Sequence, residues 1–153
     1  MIRILALLFL IAPLFSTAQE LVSKSRSDLK YELNKYIEGN SSKSPKLIES
    51  DSALVLTVFE PGIEQVKHVF KFDAAGKCKL EKILVTCDSC VKEELNKVLE
   101  KKDYQWKKIN ENQYISRYSD QLLIELPVEK NDFYFTIYRA QWTKEVYDIL
   151  IKN

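Results

Sequence analysis

Residues 113–140 read QYISRYSDQLLIELPVEKNDFYFTIYRA, a pattern typical of antiparallel sheet. This stretch contains three runs rich in apolar and aromatic residues, with a short polar turn between each run and the next. Turns this short join antiparallel strands, because parallel strands need a longer crossover connection. The stretch therefore predicts an antiparallel meander, which follows an earlier strand at 104–109 and has its own strands at 113–119, 121–128 and 133–140.

Alternation along these strands separates two faces of the predicted sheet. We expect the apolar face to lie in the core, through Phe133, Phe135, Ile137, Leu122, Ile124 and Leu126. Tyrosine gives contact area together with a polar tip, so we interpret four tyrosines as a candidate ligand or partner surface: Tyr114, Tyr118, Tyr134 and Tyr138. The alternative is that these rings form ordinary cross-strand pairs on a half-exposed face.

The rest of the chain adds further strands and three helices. Apolar residues at helical spacing predict helices at 25–38, 88–102 and 141–151, with Asp88 or Ser89 as the N-cap of the second. Other β-rich runs predict strands at 53–60, 64–72 and 77–86. We therefore predict an α+β fold in which antiparallel sheet is packed by two to three helices. In its order of elements this pattern resembles cystatin-like and nuclear-transport-factor-like domains.

One short string occurs twice. Residues 32–38 read ELNKYIE and residues 94–100 read ELNKVLE, and each string lies in a predicted helix that is followed by predicted strands. This predicts a tandem duplication of a helix-plus-four-strands unit, with pseudo-repeats at 25–86 and 88–140 and a closing helix at 141–151. The alternative is a chance match between common helical strings, which leaves the α+β class unchanged.

The first residues, MIRILALLFLIAPLFSTA (1–18), have the pattern of a secretory signal peptide: a basic residue, an apolar run and small residues before the cleavage site. A membrane anchor is the alternative, but the apolar run is shorter than the ~20 residues that span a bilayer, and it contains Pro13. We expect an exported protein, periplasmic or secreted, with no membrane span after cleavage and one domain at 19–153.

The composition disfavours several classes of function. The 23 basic and 22 acidic residues nearly cancel, whereas nucleic-acid binding usually shows as a basic face. The single histidine and the three glycines disfavour multi-histidine metal sites and glycine-rich phosphate loops. We expect His68 to be a structural or solvent-facing strand residue, and we predict no cofactor, no metal and no nucleic-acid partner.

The stretch TCDSCVK, residues 86–92, places two of the three cysteines at a predicted strand–helix junction. Cys78 and Cys87 lie at opposite ends of one predicted strand, about 30 Å apart at ~3.3 Å per residue. A disulfide needs Cα atoms within about 7 Å, so the strand keeps this pair apart. We therefore predict a Cys87–Cys90 disulfide and a lone Cys78 against the sheet.

Three hypotheses for function follow. The first is an exported, non-enzymatic domain that binds an unknown protein or small ligand, with Cys87–Cys90 as a structural disulfide. The second is a thiol–disulfide protein with Cys87 as nucleophile and Cys90 as resolving thiol. The junction resembles the strand–CxxC–helix entry of thioredoxin-like oxidoreductases, although here a meander follows the helix. The third is an enzyme that uses carboxylates. A zinc site would need Cys78 and His68 to converge on the pair.

Overall fold

The computed structural model describes residues 21–60, 65–129 and 132–152, so the signal peptide predicted at 1–18 lies outside the described residues. Three α-helices and an eight-stranded antiparallel sheet make up the described chain, and the predicted α+β class with antiparallel sheet is confirmed. The helices are α1 (Arg26–Gly39), α2 (Asp88–Leu99) and α3 (Lys144–Leu150). None of these helices is long and apolar enough to cross a bilayer.

The eight strands pair in the order β1-β2-β3-β4-β8-β7-β6-β5. They are β1 (Lys46–Glu49), β2 (Ala53–Val58), β3 (Val66–Phe72), β4 (Cys78–Leu84), β5 (Lys107–Asn110), β6 (Gln113–Ile115), β7 (Leu122–Glu125) and β8 (Tyr134–Arg139). The stretch 113–140 forms β6, β7 and β8, and each of these strands pairs antiparallel with the next. The predicted meander is therefore confirmed.

The order of elements is the same in both halves of the sheet. Each half is a four-strand meander preceded by a helix and a 3₁₀ turn, at Ser41–Lys43 and at Lys102–Tyr104. The halves meet where β4 pairs antiparallel with β8, the last strand of each meander. From either edge of the sheet to its centre, the four strands of each half therefore follow one another in chain order.

Helices α1 and α2 pack on the same face of the sheet. Residues directly opposite one another in neighbouring strands share a face, and the register places Leu54 opposite Phe70, Phe70 opposite Glu81 and Glu81 opposite Ile137. This face is called the helix face below. The core under α1 contains Leu29, Leu33, Tyr36, Leu54 and Phe70, and the core under α2 contains Val91, Leu95, Val98, Phe135 and Ile137.

Helix α3 covers the opposite face of the sheet, over strands of the second half. There Tyr147 packs with Ile115 of β6 and Leu123 of β7, and Tyr138 of β8 borders the same cluster. Thr143 caps the helix, since its side chain accepts from the backbone N–H of Val146.

A side chain caps the N-terminus of both α1 and α2, and the cap of α2 is the first cysteine of the CxxC pair. Ser25 caps α1 through the N–H of Asp28, whereas Cys87 caps α2 and its Sγ accepts from the N–H of Cys90 at 3.2 Å. The expected cap at Asp88 or Ser89 was wrong by at least one residue, because Cys87 has extended backbone angles and helical geometry begins at Asp88.

Two of the predicted core residues lie beyond the ends of their strands. Phe133 is 36% exposed and precedes β8, and its carbonyl oxygen accepts from the N–H of Val85. Leu126 follows β7 and is half-buried at the border of the core. The other four predicted core residues are confirmed as buried: Leu122, Ile124, Phe135 and Ile137.

Candidate functional site

A cavity of about 540 Å³ lies between α1 and α2 on the helix face. Its floor is made by side chains of the sheet, and its walls are made by the C-terminal parts of the two helices and by the chain that follows α2. The floor residues are Val58, Val66, His68 and Ile83, and the wall residues include Tyr36, Glu60, Glu94, Lys97 and Val98.

His68 is the polar residue of this floor. It lies on β3 between Val66 and Phe70, so alternation turns its side chain to the helix face. The residue is 7% exposed and its ring stacks on that of Phe70, with 6.3 Å between ring centroids. His68 is thus buried in an apolar setting and also lines the cavity.

Glu81 on the neighbouring strand holds the histidine. The His68 Nδ1 and Glu81 Oε1 atoms are 2.7 Å apart, and Glu81 has no exposed surface. The contact contains one shared hydrogen, which either the imidazole or a protonated carboxyl group can donate. Glu81 Oε2 is buried with no hydrogen-bond partner among the described residues. A buried carboxylate in a well-packed protein rarely leaves one oxygen unsatisfied.

The second half of the sheet shows that this fold does not need a polar pair. The buried helix-face residues of β7 and β8 are all apolar: Leu122, Ile124, Phe135 and Ile137. A buried ionic pair is often no more stabilising than apolar residues of the same volume. Buried polar residues in an otherwise apolar core are expected at functional sites rather than at structural ones.

An ion-pair network forms one wall of the cavity. Lys97 of α2 lies 2.9 Å from Glu60 and also contacts the buried Glu94 through a short ion pair. Lys43 approaches Glu60 from the other side at 3.1 Å. Burial alone would raise the pKa of Glu60, but hydrogen bonds from Lys97 and Lys43 outweigh it, so the pKa is lowered. Burial opposes the charge of Lys97 as well, yet Glu94 and Glu60 raise its pKa.

Tyr36 of α1 faces this network across the cavity. Burial, together with the negative charge of Glu60, raises the pKa of Tyr36 to about 12. The phenol therefore stays protonated at neutral pH. Phenol, carboxylate and ammonium groups thus surround a mainly apolar floor that contains one imidazole, an arrangement that can hold an apolar molecule and orient its polar group.

The predicted Cys87–Cys90 disulfide is present, with Cα atoms 5.1 Å apart, and Cys78 is a buried free cysteine as predicted. Cys90 is 4% exposed and packs in the core under α2. The disulfide lies at the N-terminal end of α2, whereas the cavity borders the C-terminal half of that helix. Neither disulfide residue lines any of the three described cavities.

The structure places the four candidate tyrosines in three locations. Tyr134 and Tyr138 line a second, more open cavity of about 550 Å³ on the face opposite the helix face. Tyr118 contacts Tyr147 under α3, with ring centroids 5.5 Å apart. Tyr114 is opposite Ile124 in the register and borders the core under α2. A binding role for these tyrosines stays a prediction.

Sequence reasoning missed the cavity residue His68 and its partner Glu81. The signal was present in part: Val66, His68 and Phe70 alternate in VKHVFKF, which puts the histidine on an apolar face. Glu81 and Ile83 alternate in the same way in the next predicted strand. The pairing between the two residues depends on strand register, which alternation does not give.

No group of three or more potential metal ligands comes together within the described residues. Comparison of the chain with protein-family models, with curated proteins and with solved structures finds no match.

Proposed function

We propose that this protein is an exported, non-enzymatic binding domain that takes a small ligand in the cavity between α1 and α2. The observation that carries the proposal is the buried His68, which lies in the floor of that cavity and is held by Glu81 of the next strand. Ligand cavities usually measure about 300–1,000 Å³ and place a few polar groups on a mainly apolar lining. The cavity of about 540 Å³ fits this range.

The lining indicates the class of ligand. Acidic and basic residues at the rim nearly balance, and the ammonium groups of Lys97 and Lys43 form ion pairs with Glu60 and Glu94. Such a rim gives no net preference for an anion or a cation. The floor offers Val66, Ile83 and one imidazole. An uncharged, largely apolar molecule with one hydrogen-bonding group therefore suits the site.

The test uses the uncharged fluorescent probe N-phenyl-1-naphthylamine. Val98→Phe fills the cavity from its wall, and we expect it to weaken probe binding by about tenfold or more, equivalent to ~1.4 kcal/mol. Val146→Phe makes the same change on the exposed side of α3 and is the matched control. Circular dichroism of both variants checks that they fold. Equal probe binding by the wild type and Val98→Phe would refute the proposal.

Export is part of the same proposal. The signal-peptide pattern at 1–18 supports it, as does a disulfide, since disulfides persist in oxidising compartments. Leu21 and Val22 are both buried, and the backbone N–H of Ser23 donates to the carbonyl oxygen of Cys78 at 2.7 Å. A domain that begins close to residue 19 fits these contacts. The mass of the chain recovered from a bacterial periplasm tests the expected start at Gln19.

We also propose that the two halves arose by tandem duplication. The repeated order of elements and the repeated ELNK string support this. The leucine of the string occupies the same structural position in both helices, because Leu33 and Leu95 are each buried against the helix face. The halves differ at His68 and Glu81, since the buried helix-face residues of β7 and β8 are apolar.

The thiol–disulfide alternative has weaker support. A dithiol catalyst needs an accessible nucleophile beside a substrate surface, whereas Cys87 is half-buried and no described cavity adjoins the pair. A reduction potential below roughly −300 mV fits a structural disulfide, and one between about −120 and −270 mV fits catalysis.

A further inference from the structure

The first half of the sheet has a broad surface on the side opposite the helix face. Among the described helices, α1 and α2 pack on the helix face, and α3 packs over β6 and β7. The outward side chains of β1 to β4 follow from the register. They form three rows across these strands: Lys46, Thr57, Lys67 and Leu84; Ile48, Val55, Val69 and Lys82; Ala53, Lys71 and Leu80. This surface is called the lysine face.

The lysine face carries charge of one sign. Its four charged positions are Lys46, Lys67, Lys71 and Lys82, and no outward position of β1 to β4 holds an aspartate or a glutamate. The whole chain is nearly neutral, with 23 basic and 22 acidic residues. A cationic face on a neutral molecule gives electrostatic preference for an anionic partner.

Apolar side chains lie between the lysines. Val55 and Val69 are opposite each other and half-buried, and Ile48 next to them is 50% exposed. The surface continues onto β8, where the Lys82 ammonium lies 3.4 Å from the centroid of the Tyr134 ring. Apolar and aromatic contacts surrounded by charge are typical of protein–protein interfaces.

We propose that the lysine face docks an acidic surface of a partner protein. A second copy of this chain would present the same lysines and be repelled. An anionic membrane matches the charge, but insertion needs protruding apolar side chains, and Val55 and Val69 are half-buried within the sheet. A partner with carboxylates around an apolar strip matches both the lysines and the apolar side chains between them. This site is separate from the ligand cavity, so either proposal can fail alone.

The experiment measures fluorescence anisotropy of a labelled peptide of alternating glutamate and leucine. Lys67→Glu with Lys82→Glu reverses two charges on the lysine face. The matched control is Lys35→Glu with Lys152→Glu, which reverses two exposed lysines elsewhere. We expect the first pair to weaken binding by about tenfold and the control by less than about twofold, because exposed charge contacts contribute only ~1 kcal/mol each or less.

Lys67→Gln with Lys82→Gln tests the same lysines with a smaller perturbation of the fold, and we expect weakened binding there too. Equal losses in the lysine-face and control variants would overturn the proposal. Wild-type protein that binds phosphatidylglycerol vesicles but not the peptide would overturn it as well, since the partner would then be a lipid surface. Weakening of peptide binding by added salt in the wild type supports it.

Discussion

His68 Nδ1 lies 2.7 Å from Glu81 Oε1, and both residues are buried on the helix face of the sheet. In the second half of the sheet, the buried helix-face residues of β7 and β8 are all apolar. The pair joins the fold to the proposed function, because His68 lines the cavity while Glu81 positions it from the next strand.

The first prediction concerns the cost of the buried pair. We expect His68→Leu alone to lower the free energy of unfolding by about 3–5 kcal/mol, because Glu81 then remains buried without its partner. His68→Leu with Glu81→Leu should recover most of that loss, since two apolar side chains replace the pair. Urea unfolding measures both variants. A double variant less stable than His68→Leu would show that the pair itself is stabilising.

The second prediction concerns the ion pairs of Glu60. Its pKa is lowered by Lys97 and Lys43 against the effect of burial, so its contribution to stability is complete above the ordinary value of 4.5. The contribution is lost as the pH falls through the lower pKa of the folded state. We therefore expect Glu60→Gln to be less stable than the wild type at pH 7, with a difference that shrinks in acid.

Urea unfolding at several pH values measures that difference, with Glu93→Gln on the exposed side of α2 as the control. A difference between Glu60→Gln and the wild type that stays constant from pH 7 to pH 2 would contradict the assigned ion pairs.

The third prediction concerns the free thiol of Cys78. Burial, together with the charge of Glu81, raises the pKa of Cys78 to about 12, so the thiolate is scarce at pH 8. We expect iodoacetamide to leave the native protein unlabelled at pH 8 and to add one group in concentrated guanidinium chloride. Mass spectrometry reads the label. Rapid labelling of the native protein would place Cys78 at an accessible site.

The fourth prediction concerns the Cys87–Cys90 disulfide. It closes a loop of only four residues, and the chain-entropy model then gives ~2 kcal/mol. We expect Cys87→Ser with Cys90→Ala to lose no more than about that amount. Serine keeps an acceptor at the cap of α2. Chemical denaturation measures the loss, and a value twice as large or more would mean that the disulfide organises a wider region.

Local patterns predicted much of the fold. The meander at 113–140 follows from alternation and short turns, both of which act between neighbouring residues. The disulfide follows in the same way, because Cys87 and Cys90 are three residues apart at a helix start. Phe133 was placed wrongly because β8 begins one residue later than expected, and strand ends are set by tertiary contacts such as that with Val85.

The candidate site was not predictable from these patterns. His68 and Glu81 are separated by 13 positions and meet only through the register of β3 and β4. The cavity wall brings Glu60 to Lys97, which are 37 positions apart. The tyrosines diverge because β6 ends at Ile115, after which alternation no longer fixes where Tyr118 points. Contacts between residues this far apart in the chain depend on the tertiary fold, and local sequence patterns indicate them only weakly.

The most direct test of the binding cavity is the imidazole signal of His68 in nuclear magnetic resonance spectra, which is unique because the chain has one histidine. Titration with N-phenyl-1-naphthylamine should shift this signal together with the amides of Val66, Ile83 and Val98. Shifts confined to the opposite face, at Val55, Val69 and Thr136, with the His68 signal unchanged, would contradict a ligand site between the two helices.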